Sequence, residues 1–362
     1  MSDRRHVAMD ARALQVRPLA GVGRYLDNLL PSLAAHADIE LFTKASDPPP
    51  LRTAGASVRP LRVPLTGMTL PWVQYAIPRA LRGFDGIFHG TFNALPYRQS
   101  VPMVVNIHDL AYEHHPQYFP NHKANMYAFR YQARHAARTA KVVLTISEFI
   151  RDEIVATYGV DPARVMVATC SVADGFGRLD GDVVQARLAS FGVSGQYVLA
   201  FGGAPRRRLD VSLAAWRRVR AAGRDVGLVV IGEPELAPEP GLVVAGSCPD
   251  EDYQALLAGA AAFVYPTEYE GYGLPALEAL SAGTPLVCAP VASLPEVAGD
   301  AAEWCEEITG EAFADALAGL LDDPRRSAEL RTAGQARVAA APTWADSADV
   351  VLRAYDIARL SE

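Results

Sequence analysis

The sequence predicts an α/β protein with two domains, each built on a doubly wound parallel sheet. Strand-like apolar runs such as KVVLTISEF, VGLVVIGE and AAFVYP alternate with helix-like stretches, and this alternation is typical of parallel sheets covered by helices. The chain has 362 residues, 50% of them hydrophobic, which exceeds the usual size of one domain. The glycine-rich, charged stretch ADGFGRLDGD precedes YVLAFGG, which has the pattern of a first strand. We therefore expect a domain boundary near residue 180.

Composition and charge narrow the classes of protein that fit the chain. It carries 34 Lys+Arg and 41 Asp+Glu, a net charge of −7, and an acidic chain is a poor candidate for binding nucleic acid. It has no run near twenty apolar residues and no apolar leader with a basic flank, so we expect a cytoplasmic protein. Residues 1–180 contain 20 Lys+Arg against 15 Asp+Glu. A solvated basic face explains this excess, and contact with an anionic acceptor or an acidic membrane surface is the alternative.

Two features of the first half lie where strands are predicted to end. Gly21 and Gly23 follow the predicted strand HVAMDAR and precede a helical pattern, although a lone Gly-x-Gly is more often a simple turn. His108 ends the predicted strand VPMVVNIH and is followed by Asp109, and His89 has a similar place in IFHG. Ligands bind at the carboxyl ends of parallel strands. A packed or surface histidine is the alternative interpretation for each.

The second domain is predicted to begin with a phosphate-binding loop. After the strand YVLAF come Gly202 and Gly203, then a proline and three arginines, and then a helix. Glycines allow the backbone to approach a ligand closely, and guanidinium groups offer forked donors to phosphate oxygens. Arg206 and Arg207 are therefore candidate ligands of a diphosphate. The alternative is a solvated arginine cluster.

The segment TEYEGYGLPALEALSAG is the most informative part of the chain. The predicted strand AAFVYP leads through Gly271 and Gly273 into a predicted helix. The start of that helix directs backbone N–H groups, those of Gly273 and Leu274 among them, towards a phosphate. Glu270 precedes this point and Glu278 follows it. Each carboxylate can accept two hydrogen bonds from a vicinal diol, such as those of a sugar or a ribose.

These motifs resemble a known family. The run from Ala245 to Glu303 is similar, almost phrase by phrase, to the nucleotide-sugar segment of retaining GT-B glycosyltransferases of group 1, or glycosyltransferase family 4. The opening MDAR and the following GVGRY resemble those of bacterial mannosyltransferase-like members. The chain differs from the family at residues 170–174, where most relatives have an Asn-Gly-Val-Asp turn. It also differs at EPELAPEPGLVV, where relatives commonly carry a helix.

The resemblance implies a role for each matching residue. Arg206 and Arg207 match a pair that contacts the donor diphosphate, although the family usually has Lys at the second position. Glu270 would hold hydroxyl groups of the donor sugar and Glu278 the ribose diol, and His108 would contact the transferred sugar. The catalytic residues implied are His108, Glu270, Arg206 and Arg207. The donor-binding positions implied are Gly21, Gly23, Gly203, Gly271, Tyr272, Gly273, Leu274 and Glu278.

The resemblance also implies the fold and the reaction. In the GT-B fold two Rossmann-like domains face each other across a cleft. The acceptor-side domain would comprise residues 1–180 plus 344–362, because the family's last helix returns to it, and the donor domain residues 181–343. The reaction implied is retaining transfer of a hexose to a glycan, a lipid-linked sugar or a small molecule. GDP-mannose is the first expectation for the donor, and a UDP- or dTDP-sugar the next. No cofactor or metal is expected.

Two other functions are compatible with the same motifs. A nucleotide-sugar epimerase of the same fold would use the donor alone, without an acceptor. A non-catalytic nucleotide-sugar binding protein would bind the donor without turnover. Only the two departures from the family pattern favour the second of these.

Overall fold

A computed structural model describes residues 4–16, 19, 21–45, 52–63, 69–98, 100–119, 123–177 and 179–360. The chain divides into two compact units. Unit 1 comprises Met1–Cys170 and Pro342–Glu362, and unit 2 comprises Ser171–Ala341. Among the described residues, none of the helices combines the length and the apolar character that crossing a membrane requires.

The described strands are short and mostly buried. They are β1 Arg5–Asp10, β2 Ala37–Lys44, β3 Ser57–Leu61, β4 Ile87–Gly90, β5 Met103–Asn106, β6 Val142–Thr145, β7 Val165–Val167, β8 Tyr197–Phe201, β9 Gly227–Ile231, β10 Leu242–Gly246, β11 Ala262–Tyr265, β12 Leu286–Cys288 and β13 Ala302–Trp304. Strands buried on both faces contain continuous apolar runs, and this is the pattern that the sequence predicted for β6, β9 and β11.

The described helices alternate with these strands. They are α1 Val22–Ala34, α2 Thr69–Pro71, α3 Ile77–Ala80, α4 Ala111–His114, α5 Lys123–Thr139, α6 Glu148–Tyr158, α7 Gly181–Ser190, α8 Leu209–Ala221, α9 Asp250–Ala258, α10 Leu274–Ser281, α11 Leu294–Ala298, α12 Gly310–Asp322, α13 Pro324–Ala340 and α14 Trp344–Leu360. A π-helical turn, Trp72–Ala76, joins α2 to α3. Among the 3-10 turns, Arg12–Gln15 follows β1 and Pro205–Arg207 follows β8.

Unit 1 contains a parallel sheet in the order β3-β2-β1-β4-β5-β6-β7. The strand order reverses between β1 and β4, and such a switch point is where an open α/β sheet binds ligands. Helix α14 belongs to this unit. Its Ser347 hydroxyl donates to the Thr169 carbonyl at 2.7 Å, and its Tyr355 is fully buried. The last helix therefore completes the packing of unit 1.

Unit 2 contains a second parallel sheet in the order β10-β9-β8-β11-β12-β13. Here the order reverses between β8 and β11. Val198, Val230 and Val264 of the central strands pack with Trp216 and Phe313 of the covering helices. Burying an apolar side chain of this size stabilises the fold by roughly 1.5–3 kcal/mol. Residues 233–241, between β9 and β10, contain no helix, as the short connection in the sequence indicated.

The boundary between the units differs from the predicted one. The chain passes into unit 2 after Cys170 rather than after residue 180, and it returns at Pro342 rather than at residue 344. Local contacts explain the earlier boundary. The Phe176 carbonyl accepts a hydrogen bond from Ser281 at 3.2 Å, and the Gly177 N–H donates to Gln254 at 3.2 Å. The glycine and charge content of the sequence indicated a loop near the boundary. It did not indicate that these contacts attach the loop to unit 2.

Candidate active site

Two loops meet at the switch point of the unit 2 sheet. Residues 202–208 follow β8 and residues 266–273 follow β11, and these two strands are direct neighbours. The Glu268 N–H donates to the Arg206 carbonyl at 2.8 Å, which joins the loops. The structure therefore brings the predicted arginine loop and the predicted glutamate loop together. This is the edge at which parallel α/β sheets bind ligands.

Glu270 is held from three sides. Its carboxyl oxygen Oε1 accepts a hydrogen bond from the Tyr265 hydroxyl at 2.5 Å and lies 3.4 Å from Arg206 Nε. Its backbone carbonyl accepts a hydrogen bond from Ser293 at 3.0 Å. Burial, and then the negative charge of Glu270, raise the pKa of Tyr265, so the phenol stays protonated and continues to donate. Glu270 is only 8% exposed, and these contacts fix the orientation of its side chain.

Glu278 lies in the second turn of α10 and is also buried, at 7% exposure. Its Oε2 accepts a hydrogen bond from the Tyr253 hydroxyl of α9 at 2.7 Å. The Tyr253 ring lies against the rings of Phe176 and Phe201. Each predicted glutamate thus has a tyrosine that orients it. Carboxylate oxygens are acceptors, which suits a ligand that donates hydrogen bonds, such as a diol.

The start of α10 requires glycine at position 273. Gly273 caps the helix with φ +95°, a conformation that residues with a Cβ rarely adopt. An added Cβ would also lie 2.6 Å from Leu294 Cδ2. The Ala276 and Leu277 N–H groups donate to the Gly273 carbonyl and close the first turn. The earlier N–H groups of a helix have no intrahelical acceptor, so this end of α10 favours an anion.

Substitution of Gly273 by Ala is expected to destabilise the fold by about 1–3 kcal/mol, because it adds both backbone strain and the contact with Leu294. Gly203→Ala is the matched control. Gly203 has φ +94° but has no atom within 4 Å of an added Cβ, so only the backbone strain applies. Urea denaturation of both variants measures the difference. Equal losses would show that the Leu294 contact relaxes without a measurable penalty.

The three consecutive arginines have different environments. Arg206 pairs with Glu270. Arg208 pairs with Asp210 at 2.8 Å and with Glu268 at 2.7 Å, and hydrogen bonds to these two carboxylates raise its pKa. The Arg207 guanidinium lies over the Phe201 ring at 4.7 Å, and its buried Nε has no hydrogen-bond partner among the described residues. A buried donor without an acceptor is costly unless a ligand supplies one.

His108, in unit 1, is neutral and has a defined tautomer. Its Nε2–H donates to the Thr91 carbonyl at 3.0 Å, and its backbone N–H donates to the Asn93 side chain at 3.3 Å. Burial lowers the pKa of His108 from 6.5 to about 4. The ring meets that of Tyr25 edge to face at 5.2 Å. Because Nε2 carries the proton, Nδ1 is the ring atom that can accept a hydrogen bond from a substrate hydroxyl.

His89 is a packed histidine rather than a ligand-binding one. It is fully buried on β4. Its Nδ1 accepts a hydrogen bond from the Tyr355 hydroxyl at 2.8 Å, and its Nε2–H donates to Asn106 Oδ1 at 2.5 Å. Burial lowers the pKa of His89 to about 4. Both ring nitrogens are occupied, so the structure supports the packing interpretation and links α14 to the strand that precedes His108.

Acidic pH is expected to destabilise unit 1 through these two histidines. In the unfolded chain they bind protons near pH 6.5, and in the folded chain only near pH 4. The unfolded state therefore holds more protons between these values. The contribution of the two neutral histidines to the free energy of unfolding is complete above pH 6.5. It falls as the pH decreases below that value, by up to about 1.4 kcal/mol per pH unit for each histidine.

Urea denaturation at pH 7, 6 and 5 measures that slope. His108→Gln should remove about half of it. Substitution of His36, which is exposed, should leave it unchanged. A slope that is the same for all three proteins would contradict the assignment of the pH dependence to the buried histidines.

The glycine pair in unit 1 is required by the backbone. Gly21 caps α1 with φ +47° and ψ −115°, a combination open mainly to glycine. At Gly23 an added Cβ would lie 2.7 Å from the Ala13 carbonyl oxygen and 2.9 Å from Leu19 Cδ2. These constraints explain both glycines without a ligand. Contact with the donor stays a prediction for them, as it does for Gly203, for half-buried Gly271 and for buried Tyr272.

Several residues of these two regions escaped prediction from the sequence. Tyr265 and Tyr253 orient the glutamates, and Thr91 and Asn93 orient His108. Asn93 has φ +47°, a conformation that asparagine adopts more readily than most residues with a Cβ. Tyr265 is the last residue of β11, directly before the loop that carries Glu270, so its position in the sequence could have indicated its role. Among the described residues no group of three or more His, Cys, Asp or Glu side chains could hold a metal ion.

Comparison with known proteins extends these observations. A family model described as "Glycosyl transferases group 1" matches residues 195–323, and one described as "Glycosyltransferase Family 4" matches residues 19–174. The chain is 29% identical to O-antigen chain mannosyltransferase B of Escherichia coli over 385 residues, which cover 94% of this chain and 97% of that protein.

Solved structures show the same fold. Sucrose-phosphate synthase of Thermosynechococcus elongatus has a TM-score of 0.74 at 16% identity, covering 99% of this chain and 100% of that one. Anabaena Alr3699/HepE in complex with UDP-glucose has a TM-score of 0.71 at 15% identity, covering 99% of each chain. These similarities support two Rossmann-like units of the kind found in GT-B proteins.

Proposed function

The chain belongs to the group 1, family 4 glycosyltransferases, and we propose that it transfers mannose from GDP-mannose to a hydroxyl group of a glycan, with retention at the anomeric carbon. It is a hexosyltransferase enzyme. The observation that carries the more specific proposal is the pair of joined loops in unit 2. With these loops lie two buried carboxylates, Glu270 and Glu278, each of which accepts a hydrogen bond from a tyrosine. The buried Nε of Arg207 has no hydrogen-bond partner among the described residues. The N-terminal end of α10, capped by Gly273, favours an anion.

Each group matches a part of a nucleotide diphosphate sugar. Negative charge develops on the diphosphate as it leaves, and Arg206, Arg207 and the N–H groups of Gly273 and Leu274 stabilise that charge. Glu270 binds hydroxyl groups of the sugar, and Glu278 binds the ribose diol. In unit 1, neutral His108 accepts a hydrogen bond from a sugar hydroxyl at Nδ1.

The proposed reaction needs no covalent enzyme intermediate. The acceptor oxygen forms the new bond to the anomeric carbon, while the bond from that carbon to the diphosphate oxygen breaks. The acceptor proton passes to the departing phosphate on the same face. No metal is required, because arginines and backbone N–H groups supply the positive charge that the leaving group needs.

The identity of the sugar rests on similarity. The relative that aligns over nearly the whole chain is an O-antigen chain mannosyltransferase, which supports mannose and a glycan acceptor. The structure of Alr3699/HepE was solved with UDP-glucose, so a UDP-sugar is the next candidate and a dTDP-sugar the third. A lipid-linked sugar or a small molecule is the alternative acceptor, and a cytoplasmic protein in peripheral contact with a membrane would reach a lipid-linked one.

Release of nucleoside diphosphate tests the proposal. GDP-mannose, UDP-glucose and dTDP-glucose are each incubated with the enzyme, with and without mannose-containing oligosaccharides or lipid-linked glycans. We expect GDP release that depends on an acceptor, and a product with the α configuration of GDP-mannose. An epimerase would convert the donor with no acceptor present. A binding protein would show a donor-dependent rise in Tm without turnover, and either outcome would contradict the proposal.

A further inference from the structure

The imidazole ring of His108 has one hydrogen bond to the protein, which does not fix the plane of the ring. Its Nε2–H donates to the Thr91 carbonyl at 3.0 Å. Nε2 lies close to the axis about which the ring turns, and rotation about this axis has only broad preferences. The direction of Nδ1 depends on the ring plane, and a displacement of about 1 Å within an active site can cost about 10²-fold in rate. A second contact that fixes the plane therefore matters for transfer.

The ring of Tyr25 supplies such a contact. It meets the His108 ring edge to face, with 5.2 Å between the ring centroids and 75° between the planes. Aromatic pairs favour this arrangement, and turning of the imidazole would break it. Tyr25 is only 1% exposed, and its hydroxyl donates to the Ala168 carbonyl at 3.4 Å. Tyr25 therefore lies behind His108 rather than in contact with a substrate.

Trp344 supports Tyr25 in turn. The two rings meet edge to face at 5.6 Å. Trp344 is the first residue of α14, and the start of this helix is held in place because the Thr343 N–H and hydroxyl donate to Asp346 at 2.8 and 2.6 Å. Trp344, Tyr25 and His108 are all buried. The three rings thus form a continuous series of contacts that begins at α14 and ends at the imidazole.

The glycines that precede Tyr25 determine where its ring lies. At Gly23 an added Cβ would be 2.7 Å from the Ala13 carbonyl oxygen, so the close approach of α1 to the turn after β1 requires glycine. The Tyr25 N–H donates to the Gly21 carbonyl at 3.0 Å and closes the first turn of α1. The pattern Gly-x-Gly-x-Tyr therefore places an aromatic ring beside His108.

We propose that Tyr25 is a positioning residue of the transferase, which holds the imidazole plane so that Nδ1 of His108 faces the sugar hydroxyl, with Trp344 as its support. Nδ1 has no hydrogen-bond partner among the residues that the structure describes, so it is available to a substrate. The role of His108 rests on the proposed function. The state of its ring can be measured without any substrate, which makes the two proposals separable.

Nitrogen NMR spectra of the ligand-free protein with isotope-labelled histidine test the position of the ring. At pH 7 His108 is neutral, because burial lowers its pKa to about 4. For the wild type and for Tyr25→Phe, which keeps the ring, we expect one tautomer with the proton on Nε2. For Tyr25→Leu we expect exchange between both tautomers, because the ring can turn. A single Nε2–H tautomer in Tyr25→Leu would overturn the proposal.

Kinetics tests whether Tyr25 acts through His108. Tyr25→Leu should lower kcat at least about tenfold, whereas Tyr25→Phe should keep at least about half of the wild-type kcat. The Kd of GDP-mannose should change less than about threefold, because unit 2 holds most of the donor. In a His108→Gln background, Tyr25→Leu should cost less than about twofold further. Equal losses in both backgrounds would show that Tyr25 acts independently of His108 and would overturn the proposal.

Phe42→Leu is the matched control for the loss of a buried ring. Phe42 is fully buried on β2 of the same unit, and its ring stacks on Phe88. This variant should lower Tm about as much as Tyr25→Leu but keep kcat within about twofold of the wild type. A loss of kcat equal to that of Tyr25→Leu would reduce the role of Tyr25 to packing and would overturn the proposal.

Trp344→Leu provides the same comparison if Tyr25→Leu does not fold. It lies one ring further from His108, so we expect a loss in kcat of at least about threefold and the same exchange between tautomers. Wild-type kcat together with a single tautomer would contradict the support by Trp344. Absence of turnover in the wild type would contradict the proposed function alone, and the NMR spectra would then decide on Tyr25.

Discussion

Replacing Glu270 with Gln is expected to lower kcat/KM by about 10²–10³-fold with little change in circular dichroism. The amide keeps the shape of the side chain but loses the charge that faces Arg206 and replaces one of the two acceptor oxygens that a sugar diol needs with an NH2 donor. Tyr265→Phe, which keeps the carboxylate but removes its 2.5 Å hydrogen bond, should fall between this variant and the wild type. Steady-state kinetics with the donor selected by the release assay measures all three.

Glu268→Gln is the matched control for that series. Glu268 lies two residues earlier in the same loop, is about one-third exposed and pairs with Arg208. Exposed ion pairs contribute about 0–1 kcal/mol, so kcat/KM should change less than about fivefold. If Glu268→Gln and Glu270→Gln lose activity equally, the loop as a whole, rather than the Glu270 carboxylate, is what matters.

Arg207→Met is expected to lower kcat/KM by about 10²-fold and yet to raise the free energy of unfolding of the ligand-free protein by about 1 kcal/mol. Methionine can keep the contact with the Phe201 ring while removing the charge that a diphosphate needs. It also removes a buried Nε that has no described hydrogen-bond partner. Activity and stability should therefore change in opposite directions, as at sites that are strained for function.

The neighbouring arginine provides the comparison. Arg208 is already neutralised by Asp210 and Glu268, so Arg208→Met should lose less than about fivefold in kcat/KM and should not gain stability. Kinetics and urea denaturation of both variants decide between these outcomes. A parallel loss of activity and stability in Arg207→Met would make Arg207 a structural residue.

Most of the fold could be predicted because parallel sheets produce a simple sequence pattern. The buried strands β6, β9 and β11 are short apolar runs, and Gly273 with Pro275 marks the start of α10. The boundary between the units was harder to predict. Two hydrogen bonds and a ring contact attach Phe176 and Gly177 to the rest of unit 2, and such contacts depend on residues far away in sequence.

The candidate site was predictable only for residues that belong to a motif. Glu270, Glu278, Arg206 and Arg207 stand at characteristic places in strand–loop–helix segments. The groups that orient them do not, since Tyr253 lies on α9, 25 residues before Glu278. His89 and His108 have similar sequence contexts, and only the contacts of His89 with Tyr355 and Asn106 distinguish them. The contacts that orient the site residues therefore depend on tertiary packing.

Isothermal titration calorimetry with GDP-mannose tests most directly the claim that the two loops of unit 2 bind a nucleotide sugar. We expect a single binding site with a Kd in about the micromolar range for the wild type and for Arg208→Met. For Arg207→Met we expect binding at least about tenfold weaker. Equal affinity of the wild type and Arg207→Met, or no heat with GDP-mannose, UDP-glucose or dTDP-glucose, would contradict it.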